Sequence, residues 1–99
     1  MTELEQLQAS AGQAAALLKA MSNPRRLLIL CMLCGTPGTR AGDLARATGL
    51  SPSATSQHLA RMREEGLIDS TREAQRILYF IKNDAVHQLI STLKSLYCP

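Results

Sequence analysis

Residues 39–81 contain the pattern that most constrains the fold of this 99-residue chain. Two short amphipathic stretches meet at Gly49, and Ser51-Pro52 begins the second of them. Glycine often ends a helix with a positive φ, whereas a serine followed by proline is typical of a helix start. β-Branched and aromatic residues then flank a polar turn at residues 72–75, which predicts a hairpin. The predicted strands cover residues 68–71 and 76–81. This order predicts a winged helix-turn-helix.

Hydrophobic periodicity predicts three further helices around this segment. Residues 3–21 place apolar side chains three or four positions apart, which is the seam of a helix that packs along another helix. Residues 24–34 are apolar almost throughout, so they predict a helix that is buried on all sides. Asn83 or Asp84 is expected to cap a last helix. Its apolar face is formed by Val86, Leu89, Ile90, Leu93 and Leu96. The predicted fold class is mainly α with a small β-hairpin, in one domain over residues 1–99.

Helical spacing predicts which side chains of the helix-turn-helix point to the core. Thr39 is expected to cap the third helix, and the fourth helix is expected to run to about Glu65. The inward-facing residues are predicted to be Leu44, Ala45 and Ala47 in the third helix, and Thr55, Leu59 and Met62 in the fourth. His58 lies beside the core-facing side and is interpreted as structural.

The opposite face of the fourth helix favours contact with DNA, since residues 52–63 contain no acidic side chain. Glutamine and arginine form paired hydrogen bonds with bases in the major groove, and small side chains allow close approach. The first backbone amides of a helix suit a phosphate, and a hairpin tip reaches the minor groove or the backbone. The candidate DNA contacts are Ser51, Ser53, Ala54, Ser56, Gln57 and Arg61 in the helix, and Arg72, Gln75 and Arg76 in the hairpin. An ordinary solvated helix face is the less favoured alternative.

Composition narrows the setting in which such a protein works. Eleven Lys and Arg against eight Asp and Glu give a formal charge of +3, which is compatible with phosphate contact. No apolar run reaches the roughly 18 residues of a membrane span, and the N-terminus lacks the features of a signal peptide. We therefore expect a cytoplasmic protein with no membrane partner. The three cysteines do not suggest a secreted disulfide framework.

These residues resemble the ArsR (SmtB) family of winged-helix repressors over nearly the whole chain. The most specific parts are residues 18–27, residues 49–59, the Glu65-Gly-Leu-Ile sequence and the hairpin at residues 72–79. The resemblance implies a homodimer built from the first and last helices. It also implies that the dimer binds an imperfect palindrome in promoter DNA and dissociates when an inducer binds. Neither an enzymatic activity nor a cofactor is expected.

The chain departs from the metal-sensing patterns of that family. The arsenic and cadmium type carries a Cys-x-Cys pair in the first helix of the reading motif, where residues 41–47 of this chain contain no cysteine. The zinc type carries two pairs of an acidic residue and histidine on the last helix. Here Asp84 and His87 form one such pair and no second pair follows. A metal site of either type is therefore not predicted.

The cysteines resemble those of the dithiol subgroup, the BigR, SqrR and YgaV-like type. There, one cysteine on the second helix and one on the last helix sense reactive sulfur, and Cys31 and Cys98 match those positions. The resemblance implies that a persulfide or polysulfide links the two thiols through a disulfide or polysulfide bridge, so that DNA is released. A direct disulfide requires Cα atoms within about 7 Å of each other. Buried cysteine as a small hydrophobe is the alternative for Cys31.

Cys34 is an additional candidate, because it lies one turn beyond Cys31. It is a spectator, a thiol that captures the first oxidation product, or one ligand of a site formed by all three cysteines. The last option makes a soft metal, organometal or metalloid the alternative inducer. A dithiol enzyme using Cys31 and Cys34 is disfavoured, because this spacing lies in an apolar helix and not at a helix N-terminus.

Overall fold

The computed structural model describes residues 2–98. Its elements follow one another as α1 (Glu3–Met21), α2 (Pro24–Gly35), α3 (Ala41–Thr48), α4 (Pro52–Glu64), β1 (Ile68–Glu73), β2 (Arg76–Ile81) and α5 (Asp84–Tyr97). The two strands pair antiparallel, from Ile68 opposite Ile81 to Glu73 opposite Arg76. This arrangement confirms the predicted winged helix-turn-helix. β2 has the predicted bounds, whereas β1 extends two residues further towards the tip than predicted, so the turn contains only Ala74 and Gln75.

Side-chain caps explain where three of the helices begin. Asn23 Oδ1 accepts hydrogen bonds from the amides of the first turn of α2, and Asn83 Oδ1 does so for α5. Ser51 Oγ accepts from the Ala54 amide at 3.0 Å, and Pro52 occupies the first position of α4. These caps satisfy amides that have no partner inside the helix. The predicted Ser51-Pro52 start is confirmed, and the cap of α5 is Asn83 rather than Asp84.

The predicted cap of α3 is wrong by one residue. Arg40 is the N-cap and provides no side-chain hydrogen bond. The Thr39 hydroxyl instead donates to the Thr36 carbonyl at 2.6 Å. Its backbone pairs with β2, where the Tyr79 amide donates to the Thr39 carbonyl at 2.9 Å. Because the hairpin holds Thr39 in an extended bridge, α3 begins at Ala41.

The core lies where α2, α4, the hairpin and α5 meet. Its fully buried side chains include Ile29, Leu30, Leu33, Leu44, Leu59, Met62, Leu67, Ile68, Val86 and Ile90. Thr55 is also fully buried, and its hydroxyl donates to the Ser51 carbonyl at 2.9 Å. The predicted inward face of α4 is therefore confirmed.

Two predictions about burial are wrong. The second helix is not buried on all sides, since Leu28 is 41% exposed and Cys31 is half-buried. Ala47 is exposed, whereas Thr48 on the same helix is buried. The Thr48 hydroxyl donates to the Leu44 carbonyl at 2.8 Å, and this hydrogen bond lets a polar residue take the inward position.

The apolar faces of α1 and α5 remain open in the single chain. Met21 is the buried residue of α1, while Leu4, Leu7 and Leu18 are each more than half exposed. On α5, Leu96 is 68% exposed. Apolar side chains at this spacing are typical of helices that pack against a partner. None of the helices in residues 2–98 combines the length and apolarity needed to cross a membrane.

The turn between α3 and α4 requires glycine. Gly49 has a φ of +73°, in the left-handed region that costs other residues about 1–2 kcal/mol. We expect Gly49→Ala to lower the free energy of unfolding by about 1–2 kcal/mol, measured by urea denaturation at fixed protein concentration.

Gly12→Ala is the matched control for this substitution. Gly12 lies inside α1, and no atom outside the local backbone approaches its Cβ position within 4 Å. Alanine there should raise the free energy of unfolding by about 0.5–1 kcal/mol, because glycine is a poor helix former. Equal effects at the two positions would contradict the assignment of strain to Gly49.

Candidate DNA interface and thiol site

The outer face of α4 presents most of the side chains that the sequence assigned to DNA contact. The exposed residues are Ser51, Ser53, Ser56, Gln57, Ala60 and Arg61, while Ala54 is half-buried. Arg61 and Arg63 lie in the last turn of α4, and no acidic residue lies in its first turn. Gln57 and Arg61 are four residues apart, so they project from one side of the helix. Each can therefore approach a base edge while Leu59 and Met62 hold the helix to the core.

Ser51 and Arg61, two of the candidate DNA contacts, also interact with other parts of the protein. The Ser51 hydroxyl is engaged in the cap, so a ligand at this position would meet the backbone amides more readily than the hydroxyl. Arg61 borders an open cavity of about 950 Å³ beneath α1, which Arg26 and Glu65 also line. Arg61 as a whole is exposed and therefore available to an external partner.

The hairpin tip is exposed and carries the three predicted wing residues. Arg72 lies in β1 opposite Ile77, and its Nε donates to the Ala74 carbonyl at 3.3 Å. Arg76 lies 3.8 Å from the Glu73 carboxylate, so part of its charge is compensated within the tip. Gln75 lies in the turn itself and is exposed. Among the described residues, the guanidinium of Arg72 and the side-chain amide of Gln75 are therefore the groups of the tip that have no acidic partner.

The N-terminus of α2 is tied to three other helices through two arginines. Arg25 Nη1 donates to the Thr48 carbonyl at the end of α3 at 3.0 Å. Arg26 Nη1 donates to the Ala20 carbonyl near the end of α1 at 2.8 Å and lies 3.4 Å from Glu65 Oε2, just beyond α4. A displacement of α2 would therefore be transmitted to α3 and α4, the two helices of the helix-turn-helix.

The other end of α2 contacts α5, and the cysteines gather at this contact. Lys94 Nζ donates to the Cys31 carbonyl at 3.4 Å, and the Cys98 amide donates to the Lys94 carbonyl at 2.8 Å. Cys31 and Cys34 are half-buried, whereas Cys98 is exposed at the C-cap of α5. All three thiols are free. Lys94 therefore contacts the backbone of Cys31 and lies one helical turn before Cys98.

The environment of Cys31 disfavours its thiolate. Burial raises the pKa of the Cys31 thiol above its ordinary value, the Lys94 ammonium opposes that rise, and the thiols of Cys98 and Cys34 add to it. Of these influences, the Lys94 ammonium is the one that favours the Cys31 thiolate.

Cys34 has a different partner. Its Sγ lies 3.7 Å from His87 Nε2, in the first half of α5. His87 therefore contacts a thiol, although the sequence suggested it only as half of an acid and histidine pair with Asp84. In the part of the chain that the structure describes, no three His, Cys, Asp or Glu side chains gather to hold a metal ion.

Substitution of Lys94 tests its influence on Cys31. We expect Lys94→Met to raise the Cys31 pKa further and to slow alkylation of Cys31 at neutral pH by about two- to threefold, since one pKa unit changes the thiolate fraction tenfold. The measurement is the pH dependence of iodoacetamide labelling, read at Cys31 by peptide mass spectrometry. Lys82→Met, which removes a lysine before α5, should leave this profile unchanged. A profile that shifts to lower pH in Lys94→Met would contradict the assignment.

Sequence reasoning missed Lys94, Arg25 and Arg26, and it gave His87 a different role. Helical spacing does provide a signal for two of them: His87, Lys94 and Cys98 are separated by seven and four residues, so they follow one stripe of α5. The arginines sit beside the Pro24 helix start, but their carbonyl partners in other helices leave no local pattern.

Comparison with known proteins assigns this architecture to transcriptional regulators. A family model described as "Bacterial regulatory protein, arsR family" matches residues 23–70. The chain is 78% identical to the HTH-type transcriptional regulator YgaV of Escherichia coli (strain K12), and the match covers 100% of both chains. It is 42% identical to the transcriptional activator HlyU of Vibrio cholerae, over 96% of this chain and 87% of that protein.

Solved structures agree with this relationship. The crystal structure of a predicted DNA-binding transcriptional regulator from E. coli superposes with a TM-score of 0.92 at 77% identity, and the match covers 96% of this chain and all of that one. The transcriptional repressor BigR from Xylella fastidiosa superposes with a TM-score of 0.84 at 30% identity, covering 100% and 99% of the two chains. These relatives are regulators of transcription and not enzymes, which agrees with the prediction.

Proposed function

The chain belongs to the ArsR family of winged-helix transcriptional repressors, and from this premise we propose that it releases its operator when reactive sulfur links Cys31 to Cys98. DNA binding follows from the family. The choice of signal rests on one observation: Lys94 on α5 donates to the Cys31 carbonyl of α2 and lies one helical turn before Cys98 at the end of the same helix. The BigR relative, a repressor by its name, supports the direction of regulation.

The chemistry of this step is a two-electron oxidation of two thiols. A persulfide or polysulfide transfers its sulfane sulfur to one thiol, which becomes a persulfide. The second thiolate attacks the protein-bound sulfur of that persulfide, so that a disulfide forms and the sulfane sulfur leaves as sulfide. Two thiol protons and two electrons are thereby transferred to one sulfur atom. When a further sulfur atom is retained, the bridge spans a wider gap than the roughly 7 Å between Cα atoms that a disulfide allows.

The link acts on DNA binding through α2. Its C-terminal half would be tied to α5, while Arg25 and Arg26 at its other end hold the ends of α3, α1 and the segment after α4. Both α1 and α5 leave apolar side chains exposed, and we propose that a homodimer packs through them. In that dimer, a strain imposed on α2 by the Cys31–Cys98 link would alter the separation of the two α4 helices, which read the DNA. Half-sites on one face of the duplex lie about 34 Å apart. A small change in the separation of the two α4 helices therefore removes one of them from its half-site.

The proposed DNA-contacting residues are those of the exposed α4 face and the wing. They comprise Ser51, Ser53, Ala54, Ser56, Gln57, Arg61, Arg72, Gln75 and Arg76. Gln57 and Arg61 are the proposed base readers, because their side chains are exposed and form paired hydrogen bonds with adenine and guanine respectively. Arg72 and Arg76 are proposed to contact the backbone or the minor groove.

An operator titration before and after oxidation tests the proposed signal. An operator is first selected from random duplex DNA with the reduced protein, and its affinity is then measured again after treatment with sodium tetrasulfide. A change from almost fully bound to almost fully free requires about 5.5 kcal/mol of differential affinity, so we expect treatment to weaken operator binding by about 10⁴-fold. Dithiothreitol should restore binding.

The cysteine variants and the mass of the product separate this proposal from its rival. Cys31→Ser and Cys98→Ser should retain reduced-state affinity and lose the response, and the treated wild type should carry a Cys31–Cys98 link. Unchanged operator affinity after treatment, or a full response in Cys98→Ser, would refute the sulfur proposal. Stoichiometric binding of a soft metal with a thiolate charge-transfer band, accompanied by DNA release, would support the metal-sensing alternative.

A further inference from the structure

Cys34 and His87 form a thiol and imidazole pair that the dithiol link does not require. They are 53 positions apart in sequence, and the fold brings Sγ to 3.7 Å from Nε2. An imidazole nitrogen beside a thiol is the arrangement in which a base assists a sulfur nucleophile. Cys34 is half-buried and His87 is exposed, so an external sulfur donor can approach the pair.

The other two cysteines are less suited to react first. Burial raises the pKa of the Cys31 thiol, which reduces its thiolate fraction at neutral pH. Cys98 is exposed at the C-cap of α5, and within residues 2–98 no imidazole hydrogen-bonds to its thiol. Cys34 also lies near a helix end, but the imidazole of His87 provides it with a proton acceptor. Its position one turn from Cys31 allows direct transfer between the two sulfur atoms.

We propose that Cys34 is the first thiol to be persulfidated and that Cys34 then passes the sulfur to Cys31. His87 accepts the proton of the Cys34 thiol. The inference rests on the proposed sulfur-sensing function. In the first step the Cys34 thiolate attacks the outer sulfur of a low-molecular-weight persulfide. The sulfur–sulfur bond of the donor breaks, and its thiolate leaves with the proton held by His87. The products are the Cys34 persulfide and a free thiol.

Two further exchanges complete the sequence. The Cys31 thiolate attacks the outer sulfur of the Cys34 persulfide, which regenerates the Cys34 thiol and leaves a persulfide on Cys31. The Cys98 thiolate then attacks the inner sulfur of the Cys31 persulfide, so that the Cys31–Cys98 disulfide forms and one sulfide leaves. The overall oxidant is the single sulfane sulfur of the donor, and Cys34 ends unchanged.

Rapid quenching with a substoichiometric amount of glutathione persulfide tests this order. Aliquots of the reduced protein are alkylated over milliseconds to seconds, and the modified peptides are assigned by mass spectrometry. We expect a persulfide on Cys34 to appear before the Cys31–Cys98 link and to decay as that link forms. In Cys34→Ser the link should form about tenfold more slowly and reach the same final yield.

Variants of the two histidines separate proton transfer from a merely structural role. His87→Gln keeps a polar, exposed side chain but removes the base, so Cys34 persulfidation should slow about tenfold and the pH profile of its rate should change. His58→Gln removes the other histidine of the chain and should leave both rate and pH profile unchanged.

The outcomes distinguish this inference from the function on which it rests. A link that forms at the wild-type rate in Cys34→Ser would overturn the role of Cys34 and leave the sulfur-sensing function intact. An unaltered pH profile in His87→Gln would overturn the role of the imidazole. In Cys98→Ser the link cannot form, and the Cys34 persulfide should still form at the wild-type rate. Its absence there would overturn the proposed order, whereas a wild type that forms no link would refute the sensing function itself.

Discussion

Gln57→Ala is expected to weaken operator binding by about 5- to 150-fold for each reading helix engaged, because one paired side-chain contact to a base is worth about 1–3 kcal/mol. Arg61→Ala should have an effect of the same order. Both side chains are exposed on the face of α4 opposite Leu59 and Met62, so their removal leaves the core untouched. We expect the thermal midpoint of each variant to match that of the wild type.

The salt and sequence dependence of binding identifies what each side chain contacts. Loss of a base reader should relax discrimination at one operator position, while the slope of log affinity against log salt stays close to the wild-type value for the uncharged Gln57. Arg76→Ala should weaken binding to all sequences alike and reduce that slope by about one for each phosphate that the arginine neutralises. Thr36→Ala, an exposed loop substitution, is the control. If Gln57→Ala binds selected and unrelated DNA with wild-type affinities, the proposed reading face is wrong.

Local sequence chemistry was sufficient for the parts of the fold that are built from adjacent residues. The Gly49 turn and the Ser51 cap depend on neighbours within four positions, and both were predicted correctly. Thr39 was misassigned because its partner, Tyr79, lies 40 positions later in the hairpin. Ala47 was predicted to face inward instead of Thr48 because an apolar side chain was preferred for a core position. The Leu44 carbonyl one turn earlier accepts a hydrogen bond from the Thr48 hydroxyl, so the buried hydroxyl has a partner.

The thiol site was only partly predictable, because its contacts also join residues that are far apart in the sequence. Cys31 and Cys98 were selected by resemblance, whereas the contacts that give each thiol its chemistry come from distant positions. Lys94 reaches the Cys31 carbonyl across 63 positions, and His87 reaches Cys34 across 53. A single sequence contains no periodicity over such separations. The pairing of α2 with α5, which creates both contacts, becomes visible only when the core is assembled.

The coupling between thiols and DNA should fail when Arg26 is replaced. Its side chain is 13% exposed, donates to the Ala20 carbonyl at 2.8 Å and lies 3.4 Å from Glu65 Oε2, so it joins α2 to the ends of α1 and α4. Arg26→Gln removes the charge and shortens the side chain, so both contacts weaken. A hydrogen bond to a charged group is worth about 1.5–3 kcal/mol, and the free energy of unfolding should fall by a comparable amount.

The sharper readout for Arg26 is the ratio of operator affinities before and after tetrasulfide treatment. Residues that transmit coupling change it by about 0.5–2 kcal/mol, so Arg26→Gln should shrink this ratio by about 2- to 30-fold while the Cys31–Cys98 link still forms. Arg46→Gln is the matched control, because Arg46 is 72% exposed and pairs only with the nearby Asp43 among the described residues. It should leave the ratio unchanged. A ratio in Arg26→Gln equal to that of the wild type would mean that the strain reaches the reading helices through the α5 interface instead, since α2 would then move without carrying α4.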